Sequence, residues 1–172
     1  MPDAISLLTA DHQEVREAFE EFEELGDKAF VGKRKLADKI CTDLLVHAQI
    51  EEEILYPKFA EAVKKARPLE REARVEHASA RDLIRQIQAM DSEDEMFDAK
   101  VTVLSEYIEH HVKEEQSEMF PLIREAGMDT QELGRQLWDR KQELLENPEL
   151  LIEAGHAGEL AKRGQSRPSQ RM

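Results

Sequence analysis

Six side chains able to bind metal ions interrupt the otherwise apolar faces of the helices that this sequence predicts. Each face can be traced by steps of three and four residues, and each carries at least one histidine. Two of the histidines are followed four residues later by a glutamate, which puts both side chains on one helical face about a turn apart. The six residues are His12, His47, Glu51, His77, His111 and Glu115.

Burial of these groups in an apolar core is costly unless they are paired or bound to a metal. Two carboxylates in one core repel each other, whereas a pair of metal ions supplies positive charge where the carboxylates converge. When the chain is folded at its predicted loops, the six side chains come to about the same height along the helices. The pattern therefore predicts a two-metal site. Mixed imidazole and carboxylate ligands suit Fe, Mn, Zn or Co and do not choose among them.

A single histidine on an apolar face is more often structural than a metal ligand, but one on each of four faces favours the metal site. His110 and Glu114 have the same spacing as His111 and Glu115. The apolar stripe through Leu104 favours His111, because His110 lies about 100° to one side of it. We expect the remaining acidic residues near these pairs to lie on a solvated face; they are Glu52, Glu53 and Glu114.

The elements that position these residues form an all-α fold, an up-down-up-down four-helix bundle with an extra C-terminal helical segment. Ser92 followed by Glu95 resembles a capping box that opens the fourth helix. Pro57 and Pro121 fall inside predicted helices, so we expect a kink or bulge at each. The four helices are predicted at 3–25, 32–66, 69–90 and 94–126.

The C-terminal part is predicted to add a fifth helix at 130–146 and a short last helix from Pro148. The fifth helix begins at Asp129, which is followed by Glu132. Its apolar side comprises Leu133, Leu137, Trp138 and Leu144. We divide the chain into a bundle, an extension packed on it and a disordered tail, which correspond to residues 1–127, 128–162 and 163–172.

Composition narrows the function classes. The formal net charge of −14 argues against nucleic acid and anionic membranes as partners, since both are polyanions. Cys41 is the single cysteine, which excludes an internal disulfide and an all-cysteine iron–sulfur cluster and fits a reducing compartment. No run is apolar enough to span a membrane, and no signal peptide is evident at the start. We expect a cytoplasmic protein.

The order His, His-x3-Glu, His, His-x3-Glu, with proline ten residues after the second and fourth histidines, resembles the hemerythrin family in its bacterial HHE cation-binding branch. The resemblance implies two iron ions, with a bridging oxygen, and Zn or Mn as substitutes. Glu51 and Glu115 would bridge the ions. By the same resemblance, one ion would be bound by His12 and His47, and the other by His77 and His111.

The resemblance also implies that O2, or another small diatomic molecule or peroxide, is the ligand. The chain departs from the oxygen carriers, because Ala73 stands where they have a fifth histidine. About one coordination position on each metal is then open. We therefore expect a protein that binds or senses O2 or iron, with a di-iron stress enzyme acting on peroxide or nitric oxide as the alternative. A third hypothesis is a metal-stabilised module with a protein partner or homo-oligomer contact through its C-terminal helices.

Overall fold

The structure, a computed structural model, describes residues 1–152 and contains helices and turns but no strand in that range. The predicted helices are present, but the second and fourth are each divided in two by a wider turn. The helices are α1 (Ala4–Glu24), α2 (Phe30–Ile50), α3 (Tyr56–Ala62), α4 (Arg67–Ala89), α5 (Phe97–Glu114), α6 (Phe120–Glu125) and α7 (Thr130–Glu146).

Four antiparallel helical segments form the bundle. The first is α1, the second consists of α2 and α3, the third is α4, and the fourth consists of α5 and α6. Each segment packs against the next in chain order, and α5 also packs against α1. Two apolar clusters fill the interior. One includes Phe19, Phe22 and Phe97, and the other includes Tyr56 and Phe59. This arrangement confirms the predicted all-α bundle with an added helix. Within residues 1–152, no helix combines the length and the apolar character that a membrane crossing requires.

The predicted bulges at the two prolines are π-helical turns, at Glu51–Leu55 and Glu115–Met119. In each turn a backbone N–H bonds to the carbonyl five residues earlier: Tyr56 to Glu51, and Phe120 to Glu115. The proline that follows sits in the first turn of the next helix, where its missing N–H costs little. The extra residue in each π turn also changes which side chains face the core.

Two of the predicted helix starts have different outcomes. The capping box at Ser92 and Glu95 is wrong, because α5 begins only at Phe97 and has no side-chain cap. Asp91 and Asp94 instead accept backbone N–H bonds two residues on, which holds this segment in turns. The start of α7 is as predicted: the Asp129 carboxylate accepts the N–H of Glu132 at 3.0 Å.

Helix α7 packs along α1 and α2. It runs parallel to α1, because Gly134 lies at the start of α1 and Lys141, seven residues later, contacts Asp11. Gly134 lies against the backbone at the start of α1, so closely that an added Cβ would be 2.5 Å from the Pro2 carbonyl oxygen. The leucines of the predicted apolar side are buried, but Trp138 is 37% exposed at the edge of this contact. The predicted last helix at Pro148 is a single 3-10 turn, Pro148–Leu150.

The proposed division of the chain at residue 127 stays a prediction. Part of the predicted extension, 128–162, and all of the predicted tail, 163–172, concern residues beyond 152 and so lie outside the described residues.

Candidate metal centre

The six predicted site residues form one buried layer across the middle of the bundle, between the two apolar clusters. His12 comes from α1, His47 from the end of α2, His77 from α4 and His111 from the end of α5. The glutamates begin the two π turns; Glu51 is completely buried and Glu115 is 2% exposed. The fold therefore brings together all six residues that the sequence pattern singled out.

The ligand atoms divide into two groups of three, and within each group they lie within 4.8 Å of one another. One group joins His12 and His47 to Glu115, and the other joins His77 and His111 to Glu51. The histidines therefore pair as the family resemblance implies. Each pair has one histidine from each of two neighbouring helices, so each pair depends on the packing of the bundle rather than on a single helix.

Each carboxylate lies between the two histidine pairs. Oε1 of Glu51 is 3.0 Å from Nε2 of His47 and 3.5 Å from Nε2 of His77. The two oxygens of Glu115 divide between the pairs, with Oε1 at 3.2 Å from Nε2 of His12 and Oε2 at 3.3 Å from Nε2 of His111. Carboxylates in these positions can bridge two cations.

The donor atoms fit a pair of metal ions. Five of the buried ligand atoms have no hydrogen-bond partner among the described residues: Nε2 of His12 and of His47, both oxygens of Glu51, and Oε1 of Glu115. A buried polar atom without a partner costs about 1–3 kcal/mol, so five in one layer would be a heavy penalty. Metal coordination would use these lone pairs and remove the penalty.

The outward ring nitrogen of each histidine faces an oxygen acceptor. Nδ1 of His47 lies 3.1 Å from Asp11. Because a carboxylate or an amide oxygen can only accept, Nδ1 carries a proton, and in a metal-bound protein the Nε2 lone pair would be the one directed to the centre. Nδ1 of His12 lies 3.2 Å from Gln116 and Nδ1 of His111 lies 3.1 Å from Glu76, whereas Nδ1 of His77 lies 3.7 Å from Glu52, too far for a hydrogen bond.

Sequence reasoning missed these four partners, and for Glu52 it was wrong. Glu52 was expected on a solvated face, but it pairs with Arg81 and turns toward His77. Burial alone would raise the pKa of Glu52, but its interactions with His77 and Arg81 outweigh that effect and lower this pKa to about 2. Glu52 therefore stays anionic beside the imidazole that it supports.

In the metal-free protein, the pKa values of several site residues are strongly shifted. Burial disfavours the charged form of His111, but hydrogen bonds with Glu115 and Glu76 outweigh it and raise the pKa of His111 to about 10. Attraction to Glu51 likewise overcomes burial and raises the pKa of His47 well above its usual range. Burial would raise the pKa of Glu115, but its bonds to the histidines hold that pKa well below its usual value. In the metal-free protein, protons thus supply the positive charge that the carboxylates need.

Tyr56 is a further site residue that the sequence pattern did not reveal. It is completely buried, and its hydroxyl donates to Oε2 of Glu115 at 3.2 Å while lying 3.3 Å from Nε2 of His77. Burial and the neighbouring Glu51 and Glu115 carboxylates raise the pKa of Tyr56 well above its usual value, so the phenol keeps its proton in the metal-free protein. Its hydroxyl reaches the same atoms that face the proposed metals.

His110, the alternative to His111, lies outside the layer. Its side chain is 70% exposed, and its Nε2 is 3.5 Å from Glu114. His110 and Glu114 do form a third group of possible ligand atoms with Glu76, but this group is on the surface rather than in the core. The structure thus places His111, and not His110, with the other five candidates.

A small apolar cavity of about 30 Å³ adjoins the layer. His12, His47, His77 and His111 line one side of it. One water molecule needs roughly 10–15 Å³ of such space, so the cavity of the metal-free site has the volume of about two or three water molecules. The remaining walls are mainly aliphatic and include Val15, Leu44, Ala48, Ala80, Ile84, Ile108 and Val112.

Known proteins resemble this chain in sequence or in structure. The chain is 28% identical over 118 residues to a DNA nickase from Nostoc sp.; the match covers 69% of this chain and 32% of that protein, so this chain spans about a third of the relative's length. The structure resembles the crystal structure of a hemerythrin HHE cation binding domain-containing protein from Mycobacterium kansasii, with a TM-score of 0.71, 20% identity, and coverage of 97% of this chain and 96% of that one.

The low identity to the Mycobacterium structure shows the shared fold alone. The sequence itself matches the model of the hemerythrin HHE cation binding domain over residues 3–123, a stretch that contains all six candidate ligands. The chain therefore belongs to the hemerythrin HHE cation-binding domain family.

Proposed function

We propose that this protein binds two iron ions through four histidines and two bridging glutamates and uses them to bind or sense O2. The observation that carries the proposal is the buried layer of four histidines and two glutamates, with a largely apolar cavity of about 30 Å³ beside the imidazole rings. Mixed nitrogen and oxygen ligands are compatible with iron, with Zn or Mn as substitutes.

In this proposal His12 and His47 hold one ion, and His77 and His111 hold the other. Glu51 and Glu115 bridge them, because each carboxylate lies within 3.5 Å of a histidine from either pair. When bound, the irons supply the electrons and the coordination positions for a small oxidant. Four imidazoles and two bridging carboxylates leave positions open, since two octahedral irons have about twelve.

The chain's own residues prepare this chemistry. The outer acceptors orient each imidazole, and the aliphatic wall of the cavity keeps bulk water from the ligand. Tyr56 holds a proton 3.2 Å from Glu115, where it can donate a hydrogen bond to the carboxylate or to a molecule beside it. These residues would favour a neutral diatomic molecule over an ion.

The test is an anaerobic purification with iron, followed by a metal count and by additions of O2, hydrogen peroxide and nitric oxide in turn, with the visible spectrum recorded after each. We expect two irons per chain and an absorption band that forms with O2 and disappears when O2 is removed. Two irons without any reversible spectral response to O2 would contradict the proposal.

One observation favours a second candidate, a di-iron stress enzyme that acts on peroxide or nitric oxide. Ala73 replaces the fifth histidine of the oxygen carriers, so the proposed centre is more open and Tyr56 offers a proton beside it. Continuous consumption of peroxide or nitric oxide in the same experiment would support the enzyme over the binding protein.

A further inference from the structure

A chain of buried polar contacts joins α7 to the proposed metal centre. Nζ of Lys141 donates to Oδ1 of Asp11 at 2.6 Å, and the other oxygen of Asp11 lies 3.1 Å from Nδ1 of His47. The Lys141 side chain is 19% exposed and that of Asp11 10%. A single carboxylate therefore connects a lysine outside the four-helix bundle to a candidate ligand inside it.

The bundle alone does not complete this contact. Asp11 has two partners among the described residues, His47 and Lys141, and one of its oxygens is used by each. Without the lysine, a buried carboxylate would keep one oxygen without a hydrogen bond, a costly arrangement that rotation of Asp11 toward solvent would relieve. That rotation would break the hydrogen bond to Nδ1 of His47, and the His47 ring would then no longer be held in its orientation.

The position of α7 is fixed well enough to place Lys141 over Asp11. Gly134 lies against the start of α1, with an added Cβ only 2.8 Å from the Ala4 nitrogen, and the two helices run parallel from there. Lys141 and Asp11 are each seven residues, about two turns, beyond that contact. The lysine thus reaches Asp11 by the regular rise of two packed helices.

From this geometry we infer that Lys141 is a positioning residue of the metal centre, so that the docking of α7 and metal binding by His47 stabilise each other. The inference rests on the proposed ligation by His47 and concerns one ion of the two, the one held with His12. The linkage is reciprocal: metal binding should hold α7 more firmly on the bundle, and a displaced α7 should weaken the metal.

Arg140 provides a matched control on the same helix. Its guanidinium joins α7 to Glu53 at 2.8 Å and has no contact with Asp11 or His47. Arg140→Met removes one charged contact between α7 and the turn after α2, whereas Lys141→Met removes the support of Asp11. Lys141→Arg keeps the positive charge and serves as the rescue variant.

The experiment is a zinc titration of the full chain in competition with a chromophoric chelator. We expect Lys141→Met to weaken one of the two zinc ions about tenfold and to leave the other unchanged, since loss of support behind a ligand typically costs 10–100-fold in affinity. Arg140→Met should weaken that ion much less than Lys141→Met does, because it loosens α7 without removing the support of Asp11, and Lys141→Arg should recover most of the loss. Equal zinc affinities in Lys141→Met and Arg140→Met would overturn the inference.

Amide hydrogen exchange of the wild type gives a readout that does not depend on a variant folding. Zinc should slow exchange in 138–145, on α7, at least severalfold, and a segment that exchanges equally with and without zinc would overturn the inference. A wild type that binds no pair of zinc ions would instead overturn the proposed centre itself, and the inference with it.

Discussion

The two halves of the bundle carry related segments, yet they surround the proposed metals differently. His47 and Glu51 lie at the end of α2 as His111 and Glu115 lie at the end of α5, and each glutamate opens a π-helical turn. One difference close to the site is the first residue after the turn. It is Tyr56 in the first half and Phe120 in the second.

Both aromatic rings lie against a histidine of the opposite half. Tyr56 stacks on His77 with ring centroids 5.4 Å apart, and Phe120 stacks on His12 at 6.2 Å. Only the tyrosine has a hydroxyl, and it bonds to Glu115. The comparison shows that two related segments supply a nearly symmetric set of ligands, while the difference between Tyr56 and Phe120 gives one side of the centre a proton donor and the other an apolar wall.

The largest effect should come from the residues that the two halves share most closely. Glu51→Ala and Glu115→Ala should each lower the affinity for both ions by about a hundredfold or more, because each carboxylate lies between the two histidine pairs. Metal counts by mass spectrometry after chelator treatment would measure this. Loss of one ion in one variant and none in the other would show that the two halves are not equivalent.

Metal affinity should rise with pH, since bound ions must displace protons from the histidines. The pKa of His111 is about 10 without a metal and that of His47 is also raised, so both halves should release protons. We expect about a tenfold gain in apparent affinity per pH unit for each proton displaced, and acidification of a weakly buffered solution on metal addition. Metal binding without proton release would show that these histidines are not protonated in the metal-free protein.

The stability of the metal-free protein should change with pH in the opposite direction. A histidine whose folded pKa is raised contributes stability that is complete below its unfolded pKa of 6.5 and is lost as the pH rises toward about 10. Urea unfolding of the metal-free chain should therefore give a lower free energy of unfolding at pH 9 than at pH 6. His111→Gln should reduce that difference.

Tyr56→Phe would make the two halves alike at the first residue after the π-helical turn. We expect two irons to remain bound, with a small loss of about 0.5–1.5 kcal/mol in stability for the missing hydrogen bond to Glu115. The visible spectrum with O2 or nitric oxide should change, because the hydroxyl lies beside the atoms that face the metals. Phe120→Tyr would add a hydroxyl on the other side of the centre and should also change the spectrum. An unchanged spectrum in Tyr56→Phe would show that the Tyr56 hydroxyl does not act on the bound ligand.

The smallest effect should come from His110→Ala. The His110 side chain is 70% exposed, so its removal should change stability by less than about 0.5 kcal/mol and leave the metal count unchanged. The neighbouring His111→Ala, and likewise His77→Ala, should lose one ion or both. Two ions per chain in both His77→Ala and His111→Ala would show that the ligand assignment is wrong.

The bundle and the six converging residues could be predicted from the sequence because each helix is a regular α-helix up to its glutamate, so steps of three and four residues follow one face. Beyond Glu51, steps of three and four residues no longer follow one face of the helix. The π turn inserts one residue, which shifts the facing side chain by about 100° and brings Tyr56 into the core, although α-helical steps lead from Glu51 to Ile54. The prolines signalled a bulge but not its exact register.

The residues that hydrogen-bond to the outer nitrogens of the histidines could not be predicted from the sequence, for a different reason. Asp11 is next to His12 in the chain but bonds to His47, and Gln116 bonds to His12 from another helix. Such contacts depend on the rotation of each helix in the packed bundle, which the hydrophobic pattern fixes only approximately. The failed capping box at Ser92 has a local cause, since Asp91 and Asp94 bind the nearby backbone instead.

An anaerobic crystal structure of the iron-loaded protein, with anomalous scattering recorded at the iron edge, tests the proposed di-iron centre most directly. We predict two anomalous peaks in the buried layer, one beside His12 and His47 and one beside His77 and His111, with Glu51 and Glu115 between them. A single peak, or peaks only at surface residues such as His110, would contradict that centre.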